Sequence, residues 1–210
     1  MKEYQKIETL YKFDNEIKGY KEEFYNPIVE YLKDCKWIGT EKIDGTNVRI
    51  LWNGHNFEFG GRTDKAILPK ELLELLTNTF NYDMEVLFEQ KFGEKEVLLF
   101  IEGYAGKIQN GAYKGSEKII GYDIMIEGTY LDKQVSEEIF ESLGIKFVPM
   151  IEFSNLQGCI DFVINHQSSI IQPESQMEGL VCFPAVRLYD HKGNRIIVKI
   201  KNRDLKKLIK

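Results

Sequence analysis

A lysine beside a predicted turn is the residue in this sequence best suited to nucleophilic chemistry. Lys42 lies in Glu41-Lys42-Ile43-Asp44-Gly45-Thr46-Asn47, where Asp44-Gly45 favours a turn between two apolar runs. A lysine becomes a nucleophile when its pKa falls towards neutrality, and partial burial or neighbouring cations produce such a fall. On these residues alone, an ordinary hairpin is the more common outcome.

A second pair of lysines could supply those cations. In Val198-Lys199-Ile200-Lys201, Lys199 and Lys201 are two residues apart on a predicted strand, so both side chains lie on one face. Such a pair suits a polyphosphate, and it is also typical of a solvent-exposed lysine face.

The charge of the chain is unevenly distributed. Its 28 basic and 33 acidic residues give a net charge of −5, which argues against bulk electrostatic coating of nucleic acid. The basic end, defined as residues Lys192 to Lys210, holds eight basic residues and one acidic one, a net charge of +7 that leaves −12 for residues 1–191. The basic end fits either a contact with a polyanion or a solvated terminal helix.

The elements that must position these lysines are predicted to form one α+β domain over residues 1–210. The chain has 210 residues, 43% of them hydrophobic, with no repeat or low-complexity linker. Helices are predicted at residues 22–33, from Pro69 onward, and at 82–91, 136–143 and 155–165. Strands are predicted at residues 37–43, 47–52, 57–59, 97–101, 119–125, 146–151, 179–183, 186–189 and 195–200. Turn sequences at 53–56 and 191–194 favour hairpins, so we expect largely antiparallel sheets flanked by helices.

Several functional classes are disfavoured by what the sequence lacks. It has no glycine-rich phosphate-binding motif, and its three histidines form no metal-ligand pattern. Its three cysteines, Cys35, Cys159 and Cys182, are widely spaced and predict neither a disulfide framework nor a zinc finger. Its apolar runs are too short for a membrane span, and the first residues lack the apolar core of a signal peptide. We therefore expect a cytoplasmic protein without membrane contact.

Six segments in the same order resemble the covalent nucleotidyltransferase superfamily, and most closely its RNA ligase 2 family. The segments are Lys42 to Asn47, Gly61-Arg62-Thr63-Asp64, Leu99 to Gln109 with Glu102, Gly121-Tyr122-Asp123-Ile124, Glu178-Gly179-Leu180-Val181 and Lys199-Ile200-Lys201. Each one is weak alone. Together they favour this family over the ordinary hairpin for Lys42.

The resemblance implies the fold and the activity. The fold would be a nucleotidyltransferase domain, the ATP-grasp-like ligase fold, present here without the C-terminal domain that family members typically carry. The activity would be that of an ATP-dependent RNA ligase, active in RNA repair, that joins RNA 3′-OH and 5′-phosphate ends through a lysyl-AMP intermediate. Its cofactors would be ATP and Mg²⁺ or Mn²⁺, and its partners RNA ends in a nicked duplex or in single strands. We expect a monomer.

The resemblance also implies residue roles. Lys42 would be the nucleophile, and Lys199 and Lys201 would hold the α-phosphate of ATP. Glu178, with Asp44, would orient the metal ion largely through waters. The remaining nucleotide contacts would come from Glu41 at the base, Tyr122 stacked on the base, Glu102 at the ribose, and Asn47 and Arg62 at the ribose or the RNA 5′-phosphate.

Two departures from the family pattern accompany this resemblance. Ile101, rather than the usual glycine, precedes Glu102, and only nine residues follow Lys201, which fits either a minimal ligase or a truncated one. The alternatives are a DNA ligase, a capping-type nucleotidyltransferase, or a ligase-like domain that binds RNA ends without chemistry. Asn47 stands where DNA ligases and capping enzymes more often carry arginine, so the RNA ligase is favoured.

Overall fold

The computed structural model describes residues 1–209, with Asn110 and Ile209 described by their backbone alone. Lys210, the last lysine of the basic end, lies outside the described residues. The chain divides into two compact units. Unit 1 comprises Met1–Tyr4 and Asp44–Val148, and unit 2 comprises Gln5–Ile43 and the chain from Pro149 onward. The prediction of a single adenylyltransferase domain over residues 1–210 stays a prediction.

Unit 1 is built from one antiparallel sheet and three α-helices. Its strands are β5 (Thr46–Trp52), β6 (Phe57–Gly60), β7 (Val97–Tyr104), β8 (Lys118–Ile126) and β9 (Thr129–Tyr130). Its helices are α2 (Lys70–Thr79), α3 (Tyr82–Phe92) and α4 (Lys133–Ser142), with a short 3₁₀ helix at Ile108–Gly111. The strand order in the sheet is β6-β5-β7-β8-β9.

The two faces of the unit 1 sheet differ in chemistry. Along β5, Val48, Ile50 and Trp52 are fully or almost fully buried, and Trp52 packs against Phe88 of α3. The residues that alternate with them point to the opposite face because successive side chains of a strand alternate. Asn47 lies on that opposite face together with a buried cluster of Leu98, Phe100 and Met125, so the face opposite Val48 and Ile50 carries both polar and apolar groups.

Unit 2 holds a five-stranded sheet, a three-stranded sheet and three α-helices. Its strands are β1 (Glu8–Thr9), β2 (Tyr11–Asp14), β3 (Gly19–Phe24), β4 (Trp37–Glu41), β10 (Met150–Phe153), β11 (Gly179–Pro184), β12 (Val198–Lys201) and β13 (Leu208–Ile209). Its helices are α1 (Pro27–Tyr31), α5 (Leu156–Asn165) and α6 (Asn202–Leu205). The strand orders are β1-β12-β11-β4-β10 and β13-β3-β2.

The core of unit 2 lies between its larger sheet and α5. Leu180 and Ile200 come from paired strands and contact the apolar face of α5, which carries Leu156, Cys159 and Val163. Because this face is buried, the apolar residues of α5 recur at helical spacing. For the same reason, β12 alternates strictly between apolar residues and lysines. The alternation sends Lys199 and Lys201 to the face that α5 does not cover.

The predicted α+β class with largely antiparallel sheets is confirmed. Both predicted hairpin turns are present: residues 53–56 join β5 to β6, and Tyr189 forms an antiparallel bridge with Arg195 across the second turn. Two strand pairs are parallel, β1 with β12 and β13 with β3. No helix among residues 1–209 combines the length and the apolar character needed to cross a membrane.

Several element predictions were wrong in their bounds, including the strand at 195–200, which begins at Val198. The predicted helix at 22–33 is confined to Pro27–Tyr31, because Gly19–Phe24 instead pairs with β2 in an antiparallel hairpin and Asn26 caps the helix at Ile28. Residues 186–189 form only the bridge at Tyr189, since Val186 finds no partner strand and stays 71% exposed. The predicted strand at 146–151 begins at Met150.

The basic end is part of the fold of unit 2 rather than a long terminal helix. It contributes β12, the four-residue helix α6 and β13, which pairs with β3. A polyanion contact by its exposed lysines, Lys206 and Lys207, stays a prediction.

Candidate active site

Gly179 explains how unit 2 brings its charged residues together. A Cβ atom at this position would lie 1.9 Å from the carbonyl oxygen of Ile200, so only glycine allows β11 and β12 to approach this closely. The backbone N–H of Lys42 donates to the Gly179 carbonyl at 2.9 Å, and that of Asn202 donates to the Glu178 carbonyl at 2.9 Å. Three segments that are far apart in sequence therefore meet at Gly179.

Gly179→Ala is expected to unfold or severely destabilise the protein. The new methyl group collides with backbone, which cannot move aside as a side chain can, so we expect a loss of about 3 kcal/mol or more in the free energy of unfolding. Thermal and urea unfolding measure it. Gly193→Ala is the matched control, because Gly193 also has a positive φ but has nothing within 4 Å of its Cβ position. Equal stability of the two variants would contradict this account.

An ion-pair network joins three of the predicted catalytic residues. Glu178 Oε2 accepts from Lys42 Nζ at 2.6 Å, and Glu178 Oε1 lies 2.5 Å from Lys201 Nζ. Burial alone would raise the pKa of Glu178, but the charge of Lys42 and the hydrogen bonds from both lysines hold that pKa below its ordinary value. Glu178 is therefore an anion that contacts the side-chain nitrogens of Lys42 and Lys201.

Lys199 brings a third positive charge to the same face. Burial lowers the pKa of Lys199 below its ordinary value, and the charges of Lys201 and then Lys42 add to the shift. No ion pair of Lys199 is found among the described residues. Glu178 contacts two of these three lysines, and the charges of Glu8 and Asp204 partly oppose the pKa shift of Lys199. Three lysines on one face suit a polyphosphate.

Lys199→Met is expected to raise the thermal stability of the protein while it lowers any activity that needs the cation. Since the folded-state pKa is depressed, holding Lys199 as a cation costs stability at neutral pH, and the cost disappears as pH rises through the folded pKa. Each kcal/mol relieved raises the midpoint of unfolding by about 2–4 °C. Calorimetry at pH 7 and near pH 10 tests this, with exposed Lys207→Met as the control.

The Lys199 prediction fails in either of two cases. A stability gain that is equal for both variants would show that charge at this face is not the cause. A gain that does not shrink as pH rises would assign it to the methionine side chain rather than to the lost cation.

Glu41 lies on the other face of the same sheet. It pairs with Leu180, which faces the core, and its side chain is only 2% exposed. Its Oε2 accepts from the backbone N–H of Ile170 at 2.7 Å and of Ile171 at 3.2 Å. The carboxylate therefore fastens the segment before β11 to β4, and its role in base recognition stays a prediction.

Unit 1 brings together three of the predicted nucleotide contacts. Asn47 and Glu102 are directly opposed on β5 and β7, so they share one face of the sheet. The Asn47 Nδ2 group donates to the hydroxyl oxygen of Tyr122. Burial raises the pKa of Tyr122 well above its ordinary value, and the charge of Glu102 adds to the shift, so the phenol stays neutral.

Asn47 also has a buried hydrogen-bond acceptor, its side-chain oxygen. Its Oδ1 is buried and has no hydrogen-bond partner among the described residues. Buried polar atoms are nearly always paired in folded proteins, so an unpaired acceptor at this position is suited to a ligand hydroxyl or N–H group.

Gly45 fits the turn for a steric reason. A Cβ atom there would lie 2.4 Å from the Gly103 carbonyl oxygen and 2.7 Å from Glu102 Cγ. The Asp44-Gly45 turn thus packs directly on the strand that carries Glu102, and Gln109 Nε2 donates to the Gly45 carbonyl at 3.0 Å. Asp44, the second predicted metal-orienting residue, is partly buried at this turn.

Arg62 is not joined to the other three residues of unit 1. It lies on an exposed loop after β6, and no contact to Asn47, Glu102 or Tyr122 is found among the described residues. The prediction that it engages the ribose or the RNA 5′-phosphate stays a prediction.

The sequence analysis missed Arg49, which holds the Arg62 loop. This arginine is 0% exposed, and it donates to the Gly61 carbonyl at 2.6 Å, the Met1 carbonyl at 2.7 Å and Asp64 Oδ1 at 2.8 Å. The signal in the sequence was a charged residue within the apolar run of β5. A buried arginine needs several partners to offset its desolvation, so such a residue indicates a set of long-range contacts.

A preformed metal cage is not part of this structure. No group of three or more histidine, cysteine, aspartate or glutamate side chains within residues 1–209 is arranged to hold a metal ion. Glu178 is the carboxylate that the structure surrounds with cations, and both of its oxygens are engaged. This donor set fits an ion such as Mg²⁺, which keeps much of its water shell and uses few protein ligands.

The family model described as "RNA ligase" matches residues 35–201, and the chain belongs to that family. No curated protein sequence matches it. Among solved structures, a lysine-to-alanine variant of the Naegleria gruberi RNA ligase with ATP and Mn is similar, with 16% sequence identity and a TM-score of 0.67. That match covers 97% of this chain and 57% of the other chain.

A second similar structure is the Naegleria gruberi RNA ligase with PPi, at 18% identity and a TM-score of 0.63. It covers 96% of this chain and 61% of the other. The chain thus spans somewhat more than half the length of these proteins. At this level of identity the likeness establishes a shared fold, and it agrees with the nucleotidyltransferase fold predicted from the ordered segments.

Proposed function

We propose that this protein is an ATP-dependent RNA ligase that joins RNA 3′-OH and 5′-phosphate ends through a lysyl-AMP intermediate on Lys42. The observation that carries the proposal is the charged face of unit 2, where Lys42 contacts Glu178 at 2.6 Å and Glu178 contacts Lys201 at 2.5 Å. A nucleophilic lysine beside an excess of cations is what attack on a polyphosphate requires. Membership of the RNA ligase family supports RNA as the substrate.

The first step of the proposed reaction forms a P–N bond at Lys42. An ammonium has no lone pair, so Lys42 must first give up a proton. Because the pKa of Glu178 is depressed, its carboxylate does not retain a proton well, and we propose that the proton is released to solvent. The Nζ lone pair then attacks the α-phosphorus of ATP, the bond to pyrophosphate breaks, and pyrophosphate leaves with the electron pair. The nitrogen, which is positively charged after the attack, loses a second proton to solvent and becomes the phosphoramidate.

Lys199 and Lys201 stabilise the negative charge that develops on the phosphate in this step. They project from one face of β12, where they are fixed by the strand before the substrate binds. Preorganised cations of this kind stabilise a transition state without a reorganisation cost.

The proposal also assigns residues to the nucleoside. The ring of Tyr122 stacks on the adenine, and Glu102 contacts the ribose. The unpaired Asn47 Oδ1 is an acceptor, so it suits a ribose hydroxyl better than a phosphate oxygen, which has no proton to donate.

Glu178 and Asp44 are the residues that we propose to orient Mg²⁺ or Mn²⁺. When bound, the ion would neutralise phosphate charge and polarise the reacting phosphorus.

The later steps transfer the nucleotide to RNA. The phosphoramidate at Lys42 is attacked by the RNA 5′-phosphate, which takes the AMP and frees the lysine. The 3′-OH of the other end then attacks the activated 5′-phosphate, and AMP leaves. We propose a monomer that carries out both steps.

Incubation of the purified protein with radiolabelled ATP or GTP and Mg²⁺, followed by denaturing electrophoresis, tests the proposal. A label that stays on the protein with ATP and not with GTP is expected, together with sealing of 5′-phosphate RNA. Labelling by GTP would favour a capping-type enzyme, sealing of DNA alone a DNA ligase, and RNA binding without any label a non-catalytic domain.

A further inference from the structure

Tyr122 is the extra residue of a β-bulge. Across the β7–β8 pair, Phe100 lies opposite Asp123 and Ile101 opposite Gly121, so Tyr122 has no partner in the ladder. A bulge redirects a side chain and removes the ladder hydrogen bonds that would fix it. The backbone at Tyr122 therefore needs other contacts to hold one conformation.

Lys133 supplies such a contact from outside the ladder, and Tyr4 contacts the side chain of the next residue, Asp123. Lys133, at the start of α4, donates from Nζ to the Tyr122 carbonyl at 2.5 Å and forms an ion pair with Asp123 Oδ2 at 3.1 Å. The hydroxyl of Tyr4 donates to the same Asp123 oxygen at 2.7 Å. Asp123 is 0% exposed and the side chain of Lys133 is 11% exposed, so this ion pair is almost fully desolvated.

The ring of Tyr4 also contacts the ring of Tyr122. The two ring centroids lie 5.1 Å apart at an interplanar angle of 87°, an edge-on contact. Tyr4 makes a second edge contact with Phe100 at 4.9 Å, and Phe100 lies 6.4 Å from Tyr122 at 29°. The ring of Tyr122 is thus confined on one side by Tyr4 while its hydroxyl is fixed by Asn47.

We propose that three residues with no role in the reaction scheme position the ring of Tyr122 for the nucleobase of ATP. They are Tyr4, Asp123 and Lys133, and together they form the Tyr122 brace. The inference rests on the proposed function, which assigns base stacking to Tyr122.

The chemistry of the brace favours a positioning role over a contribution to stability alone. A buried ion pair adds little net stability, because the cost of desolvating both charges offsets their attraction. Here the pair lies at Tyr122, the one residue of the described β7–β8 ladder that lacks a cross-strand partner. Lys133 contacts both the carbonyl of Tyr122 and the carboxylate of Asp123. What it determines is the direction of the Tyr122 side chain.

A double-mutant cycle on ATP affinity tests the brace. In the Lys42→Ala protein, which cannot form the covalent adduct, calorimetry would measure ATP binding with Tyr4→Phe, with Tyr122→Ala and with both changes. Tyr4→Phe keeps the ring and removes the hydroxyl that donates to Asp123. We expect it to weaken ATP binding about fivefold when Tyr122 is present, the size of one hydrogen bond, and to have no effect when Tyr122 is absent.

Two further variants keep the result interpretable. Lys133→Met removes the contacts of the ammonium group with the Tyr122 carbonyl and Asp123, and it should weaken binding at least as much, with the same dependence on Tyr122. Tyr82→Phe is the matched control, because Tyr82 is 75% exposed on α3 of the same unit, and it should bind ATP as the parent does. Thermal unfolding of each variant separates lost affinity from lost folding.

The outcomes distinguish this inference from the proposed function. Equal weakening by Tyr4→Phe with and without Tyr122, or no weakening at all, overturns the brace even if the parent protein forms the lysyl-AMP adduct. A coupled loss of affinity supports the brace even if that adduct is never found, in which case the proposed chemistry is wrong. Absence of any ATP binding overturns both.

Discussion

Lys42→Ala is expected to abolish the covalent AMP adduct and to reduce sealing of 5′-phosphate RNA below detection. Removal of a catalytic nucleophile typically costs about 10⁶-fold, because no neighbouring group takes its place. Intact-mass measurement after incubation with ATP and Mg²⁺ should show an increase of one AMP in the parent protein and none in the variant.

The same variant should keep some sealing of RNA that already carries a 5′-adenylate. The last step uses the 3′-OH as the nucleophile and does not need Lys42. Lys36→Ala is the control, since Lys36 is exposed and lies six residues before Lys42. An adduct that persists in Lys42→Ala, or that maps to another residue, would contradict the assignment of Lys42 as the nucleophile.

The Lys42 prediction depends on a feature that the sequence made visible. The lysine-to-asparagine segment and the Lys199/Lys201 alternation are local, so their spacing predicted the turn and the shared face before any long-range contact was known. Two glycines of these segments were visible in the sequence as well. Gly45 and Gly179 are required by close backbone approaches, although the atoms they avoid, in Gly103 and Ile200, come from distant segments.

Long-range partners are what the sequence could not supply. The spacing around Lys42 gives no indication that its ammonium is paired with Glu178, 136 positions later. Glu41 is next to Lys42 in sequence, but strand register turns it to the core side, where its carboxylate accepts hydrogen bonds from the backbone N–H groups of Ile170 and Ile171. Its role in base recognition stays a prediction. Alternation predicts that neighbours in a strand diverge, but the face that each takes is set by which strand pairs with it.

The N-terminal elements were missed for a related reason. The apolar spacing of residues 22–33 fits a helix, but β3 gains its hydrogen bonds from β2 and from β13, which comes from the opposite end of the chain. Tertiary pairing overrides local periodicity in such a segment. The bulge at Tyr122 is invisible in sequence as well, because it depends on the register of β7 against β8.

Glu178→Gln is expected to impair both the formation of lysyl-AMP and the sealing of adenylylated RNA. Glutamine keeps the shape of the side chain but loses the charge, so it can neither pair with Lys42 and Lys201 nor orient a metal ion. Loss of one preorganised electrostatic group typically costs about 10²–10³-fold in rate. Single-turnover rates on ATP and on adenylylated RNA measure the two steps separately, with exposed Glu152→Gln as the control.

The same substitution should lower stability in a pH-dependent way. Since the pKa of Glu178 is depressed in the folded state, its contribution to stability is present above the ordinary glutamate value of 4.5 and is lost as pH falls through the folded pKa. The difference in unfolding free energy between the parent and Glu178→Gln should therefore be largest near pH 7 and should shrink below about pH 4.5. Urea unfolding at several pH values measures this difference.

The two readouts of Glu178→Gln separate its possible roles. A pH-dependent loss of stability with both reaction rates unchanged would make Glu178 a partner of the lysines alone and remove it from the proposed metal site. A loss of lysyl-AMP formation with normal sealing of adenylylated RNA would confine its role to Lys42. Impairment of both steps is the expected result, because each step moves negative charge at a phosphorus atom and Glu178 lies at the centre of the cations that face it.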